Sequence, residues 1–298
     1  MNPFLQRLGF GTDDRVVIVH ADDVGMCHAT IPAAADLFDA GLVSSAAAMV
    51  PCGWFPAAAR HCREAPTIDM GVHVTLTCEW QTPRWAPIST VDRTTGLFDD
   101  EGYFHRTNEP VAAADPLAVA DEIAAQVARA QAAGIDVTHI DSHMGAVFHP
   151  ALLAGYLAAA ERAGVPAFVP RLDAASLLQR GIPEPLVALL LGALADCEAR
   201  GLPLVDQLAI MPLDDPRDRI GLARRLFDGL RPGLSYLILH PAVDTPELRA
   251  IAPDWRCRVA DHEAFSDAGL RRYVEAQGIR VIGWRAIRDV LRATTGSR

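Results

Sequence analysis

Residues 15–26 read RVVIVHADDVGM, and this stretch limits the possible folds more than any other. Val16, Val17, Ile18 and Val19 form an apolar β-branched run that breaks into His20, Ala21, Asp22 and Asp23, with a glycine at position 25. β-Branched side chains suit an extended backbone, and a short run of them closed by polar residues and glycine predicts a strand buried on both faces. Such a strand belongs in an α/β protein, where the carboxyl ends of the strands carry the chemistry. The two adjacent acids at this end are the first functional candidates.

The rest of the chain repeats the alternation. Helical periodicity over 28–39 ends at Gly41, and strands are expected at 42–50, 68–76, 136–143, 165–170, 204–211, 234–240 and 279–283. Helices are expected over 54–64, 116–133, 151–163, 174–200 with a break at 181–183, 217–230, 261–277 and 284–292, with a polar tail at 242–260. Repeated β-α units predict a parallel sheet closed, or nearly closed, into a barrel. A length of 298 residues suits one barrel domain spanning 1–298, and no linker or short repeat divides it. Periodicity lapses at about 78–110, which holds Trp80, Trp85, Phe98, Tyr103 and Phe104. An insertion of this length reads either as a cover over a site or as a peripheral loop anchored by its aromatics, with a small hairpin at GLFDDEGYF.

Composition removes several function classes. The formal net charge of −10, with no basic stripe, opposes a nucleic-acid backbone. No apolar run reaches the ~20 residues of a membrane span, and the first residues lack a basic segment followed by an apolar one, so a cytoplasmic, non-membrane protein is expected. The six cysteines form no C-x-x-C pair and read as reduced thiols. All 27 basic residues are arginine. Without lysine there is neither a Schiff-base lysine nor a Walker A loop.

Asp22, Asp23, His73, His143 and His240 fall at or just past expected strand ends, and barrel strands bring those ends to one face. A carboxylate and two imidazoles suit one divalent cation with positions open to water and substrate, and a second acid beside them can take a proton from water. The plainer readings are a helix cap for either Asp, buried structural histidines for His73 and His143, and a strand terminator for His240-Pro241. Period two puts His20 on the parity of Asp22, and His139 and Asp141 on that of His143; His20 is expected to support the site from behind or to pack in the core, and His139 and Asp141 to orient ligands by hydrogen bonds rather than bind a metal. By residue type, Trp80, Trp85 and Tyr103 are candidates to stack on the flat faces of a substrate, and Arg256 or Arg258 to bind hydroxyl or carboxylate groups.

The segments VIVHADDVGM, GLVSSAAAMV, DMGVHVTLT, THIDSHMG, LILHPA, DWRCRVADHEAF and GIRVIGWRAI occur in one order along the chain. Together they resemble the YdjC-like, or ChbG-type, carbohydrate deacetylases. The resemblance implies a distorted, TIM-like (β/α) barrel of the polysaccharide-deacetylase kind that removes acetyl groups from N-acetylated sugars such as chitooligosaccharides. It further implies one Mg2+ or Zn2+ held by Asp23, His73 and His143, with Asp22 as catalytic base and His240 as general acid, a small carbohydrate substrate and, as in several members, a homodimer. The chain departs from the family after DSH, where further histidines are usual and Met144, Gly145 and Val147 stand here. The rival readings are another single-metal barrel enzyme, a sugar isomerase or phosphoesterase, and a non-catalytic sugar-binding protein.

Overall fold

In the computed structural model, which describes residues 2–179 and 181–295, the apolar run lies in strand β1, Arg15–Val24. Six more strands follow: β2 Ser45–Ala48, β3 Met70–Val74, β4 Ile140–Ser142, β5 Gln207–Ile210, β6 Gly233–Leu239 and β7 Arg280–Val281. All pair in parallel, in the order β4-β3-β2-β1-β6-β5. Between β4 and β5 the segment 165–170 pairs only by single bridges, Ile140 with Ala167 and Pro170 with Val205. Pro166 and Pro170 have no N–H to offer a ladder, so the expected strand there is reduced to these contacts. The result is a distorted (β/α) barrel.

β1 organises the barrel. Along one edge β6 pairs with Arg15–Ala21. The other edge is divided, with β7 at Val16 and Val17 and β2 from His20 upward. Alternation assigns the two faces of β1: Val17, Val19 and Ala21 pack outward against the helices, whereas Val16 and Ile18 enter the barrel. The lower interior is apolar, formed by Val16, Ile18, Phe168, Leu234, Tyr236 and Trp284, with Phe4 and Leu5 of the helix Pro3–Arg7 beneath.

Two expectations are corrected by helix-start chemistry. The supposed polar tail at 242–260 contains the helix Pro246–Ile251, whose cap Thr245 accepts the N–H of Leu248 and which has proline in its first turn, and most of the helix Trp255–Phe265. The expected helix 261–277 is divided because the Asp267 carboxylate caps a new helix, Ala268–Ala276. In the 78–110 segment Phe98 and Phe104 pair as a short antiparallel bridge, and Trp80, Trp85 and Phe104 are buried. Buried Glu122 accepts the N–H groups of Ile88 and Ser89, which ties the segment to the helix Pro116–Ala132. Among the described residues no helix is long and apolar enough to cross a membrane.

Candidate metal centre and active site

His20 and Asp22 continue the inward parity of Val16 and Ile18. Alternation would then turn Asp23 outward, away from the site. Instead the register of β1 on β2 slips between Ala21 and Val24, and Asp23 has φ 64°. A bulge with one residue in the left-handed region turns the second carboxylate inward beside the first, and aspartate is among the few residues that tolerate this conformation. Both acids are buried.

Asp23 Oδ1 stands 3.4 Å from His73 Nε2 and 3.2 Å from His143 Nδ1. It is buried with no hydrogen-bond partner, although its other oxygen takes a 2.7 Å bond from Arg258 Nη1. Bonds of about 2 Å at tetrahedral angles place ligand atoms about 3.3 Å apart, so this spacing fits a divalent cation shared by the three residues. The outward nitrogens of both imidazoles are fixed: His73 Nδ1 bonds Asp141 Oδ1 at 2.8 Å, and His143 Nε2 bonds Glu79 Oε2 at 2.9 Å. A carboxylate on the far nitrogen fixes ring orientation and raises the basicity of an imidazole that could bind a metal.

The charges follow from these contacts. Burial alone would raise the Asp23 pKa, but the Arg258 guanidinium and the two imidazoles hold it well below the usual range. Burial alone would lower the pKa of both candidate ligand imidazoles. Asp141 and Asp22 instead hold His73 well above the ordinary value, and Glu79 with Asp23 raises His143 to about 9.

Beneath this group lies a second polar layer, one strand step lower. Asp141 Oδ2 accepts the Tyr236 hydroxyl at 3.0 Å and lies 3.0 Å from His20 Nε2. His20 Nε2 is also 3.1 Å from Asp22 Oδ1, and its Nδ1 is 3.1 Å from Ser45 Oγ. His139 meets the edge of the His20 ring, stacks on Trp284 and contacts Thr138 Oγ1, which places it beside this layer, one strand step below Asp141.

His240 follows β6, with Nε2 3.7 Å from Asp22 Oδ2. Its backbone N–H is held by Asp261, which is paired in turn with buried Arg219. Burial lowers the His240 pKa and pushes Asp261 up to about 6, a rise that Arg219 only partly offsets.

The remaining candidates are more scattered. Arg258 is buried and spans Asp23 and Asp254, so its donors serve the carboxylates; Trp80 lies against it at 5.7 Å. Trp85 is buried edge-on to His143 at 6.4 Å and bonds the Thr77 carbonyl. Tyr103 is 36% exposed with Arg84 over its ring, and Arg256 lies over Trp255. After His143 the chain turns through two left-handed residues, Met144 and Gly145. Sequence reading missed Glu79, because it is an acid in an aperiodic insertion, and Tyr236, because its parity alone marks it as core.

Residues 16–276 match the sequence signature of the YdjC-like protein family. A carbohydrate deacetylase of Thermus thermophilus is 34% identical over 288 residues, covering 96% of this chain and 98% of its own. A carbohydrate deacetylase of Thermoanaerobacter pseudethanolicus is 22% identical over 275 residues, covering 92% of this chain and 100% of its own. Among solved structures, a candidate cellobiose-phosphate cleavage protein from Enterococcus faecalis V583 shares the fold, with a TM-score of 0.75 at 22% identity over 92% of this chain and 99% of that one.

Proposed function

The chain belongs to the YdjC-like protein family, and from that premise we propose that it is a metal-dependent carbohydrate deacetylase acting on N-acetylated sugars of the chitooligosaccharide type. One observation carries the reading: a buried, unpartnered Asp23 oxygen between His73 Nε2 and His143 Nδ1, with a second acid, Asp22, and a third imidazole, His240, beside it. One Mg2+ or Zn2+ held by Asp23, His73 and His143 would polarise the acetyl carbonyl and make water a stronger nucleophile.

The protein's own groups divide the proton transfers. Asp22 Oδ2 takes a proton from the attacking water as the new carbon–oxygen bond forms. His240 Nε2, 3.7 Å from that oxygen, gives a proton to the departing nitrogen as the amide bond breaks, yielding acetate and the free amine. Burial lowers the His240 pKa, which makes its charged form a stronger donor. For the sugar, Tyr103 offers an exposed ring, whereas Trp80 and Trp85 form the wall behind Arg258 and His143.

The test is acetate release from N-acetylglucosamine oligomers by chelator-treated protein, with and without added Mg2+ or Zn2+. Metal-restored release with about one ion per chain is expected. Asp22→Asn should keep the ion and lose roughly 10²–10⁴-fold in kcat. Absence of acetate with either metal would refute the activity, and near-normal turnover by Asp22→Asn would refute the base. About two ions per chain would favour a dinuclear phosphoesterase-like chemistry.

A further inference from the structure

His20 is among the buried groups that the proposed reaction leaves unused. His20 is inaccessible to solvent, its ring stacks on Tyr236 at 4.8 Å, and its Nε2 faces two carboxylates, Asp22 Oδ1 at 3.1 Å and Asp141 Oδ2 at 3.0 Å. Neither contact has the alignment of a hydrogen bond, so the buried ring nitrogen lies between two carboxylate oxygens with no aligned partner. Two carboxylate oxygens beside one buried nitrogen require positive charge or a shared proton between them. The other nitrogen is already occupied by Ser45 Oγ.

We propose that His20 is the positioning residue of the base: a proton on Nε2, shared between Asp22 Oδ1 and Asp141 Oδ2, pins Asp22 so that Oδ2 alone faces the reacting atoms. This inference rests on the deacetylase reading for its kinetic part only. Asp141 completes the device, because its other oxygen holds Nδ1 of His73. One carboxylate thus sets both a metal ligand and, through His20, the base, and fixes the separation between them. Each partner is locked by its neighbours: His73 and Asp141 face each other in the β3–β4 register, and the Tyr236 hydroxyl bonds Asp141 from β6. A base held to within fractions of an ångström is what proton transfer to a bound water requires.

Two variants and one spectrum test this. His20→Phe keeps the ring contacts with Tyr236 and His139 but removes the donor, while His20→Gln places an amide N–H near the Nε2 position. His20→Phe should lose about 10–100-fold in kcat with KM and metal content unchanged, and His20→Gln should recover most of that loss. In 15N-labelled metal-free protein a slowly exchanging imidazole Nε2–H signal is expected that is absent in His20→Phe and displaced in Asp22→Asn. An unprotonated Nε2 in that spectrum would overturn the proposal. So would equal kcat losses in both variants, or a second ion per chain lost on His20→Phe, which would make His20 a metal ligand with Asp141 and His139. A wild-type chain that released no acetate would refute the deacetylase reading alone, and the spectrum would still decide the role of His20.

Discussion

Asp23 takes its place in the site from backbone shape. Its left-handed conformation, worth on the order of 1–3 kcal/mol of strain, is offset by the Arg258 ion pair on Oδ2 and leaves Oδ1 facing two imidazoles. The inward parity of His20 and Asp22 could be read from the period of two, but the turn of Asp23 could not, because an aspartate gives no local sign of a bulge. The protonation of the candidate ligands leads to a prediction. In metal-free protein the neighbouring acids keep His73 and His143 charged, and His143 loses its proton only near pH 9. A cation binds the neutral imidazoles, so metal binding releases up to about two protons and affinity rises with pH until it levels off above the imidazole pKa values. Calorimetric titration in buffers of different ionisation enthalpy measures this release. Affinity independent of pH would contradict the ligand assignment.

At the scale of elements, the site depends on which strand lies beside which. His73 and Asp141 are 68 positions apart in sequence and become direct neighbours only because β3 and β4 pair in that register. Each could be recognised as a strand-end polar residue, but their contact required the register, which is set by the whole barrel. His139 shows the same limit. It shares the parity of Asp141, yet it lies one strand step lower than the candidate ligands and packs where a methyl group on Gly71 would collide with it. Glu79, brought to His143 by the segment after β3, belongs to this scale as well. Glu79→Gln keeps an acceptor but removes the charge that makes His143 basic. The expected outcome is about a 10–100-fold loss of metal affinity, whereas Glu101→Gln, at an exposed pair with Arg84, should leave affinity unchanged. Competition with a chromophoric chelator separates the two outcomes.

For the molecule as a whole, the barrel is a stack: an apolar base, a middle layer of His20, His139, Asp141 and Tyr236, and the candidate cation ligands above. β-α alternation made the barrel legible from sequence. Its irregular closure through the proline-flanked 165–170 segment, and the divided edge of β1, were not, because they depend on how unequal strands share one ring. Trp284 joins base to middle layer, since its fully buried indole carries the His139 ring at 5.1 Å and lies beside Tyr236. Trp284→Ala should cost about 3–5 kcal/mol and lower Tm by on the order of 10 °C, as scanning fluorimetry would show. A Tm within 2 °C of wild type, on the order of 1 kcal/mol for a domain this large, would mean that the base does not support the layers above. This support has a consequence for biosynthesis. On the ribosome His20, Asp141 and Tyr236 emerge before Trp284, so the middle layer lacks the indole part of its floor until that residue has been made. A chain cut between Phe265 and Trp284 would contain every proposed ligand, base and acid, yet lack the indole that packs on His139 and Tyr236. Binding of the proposed cation is therefore expected to follow the synthesis of Trp284.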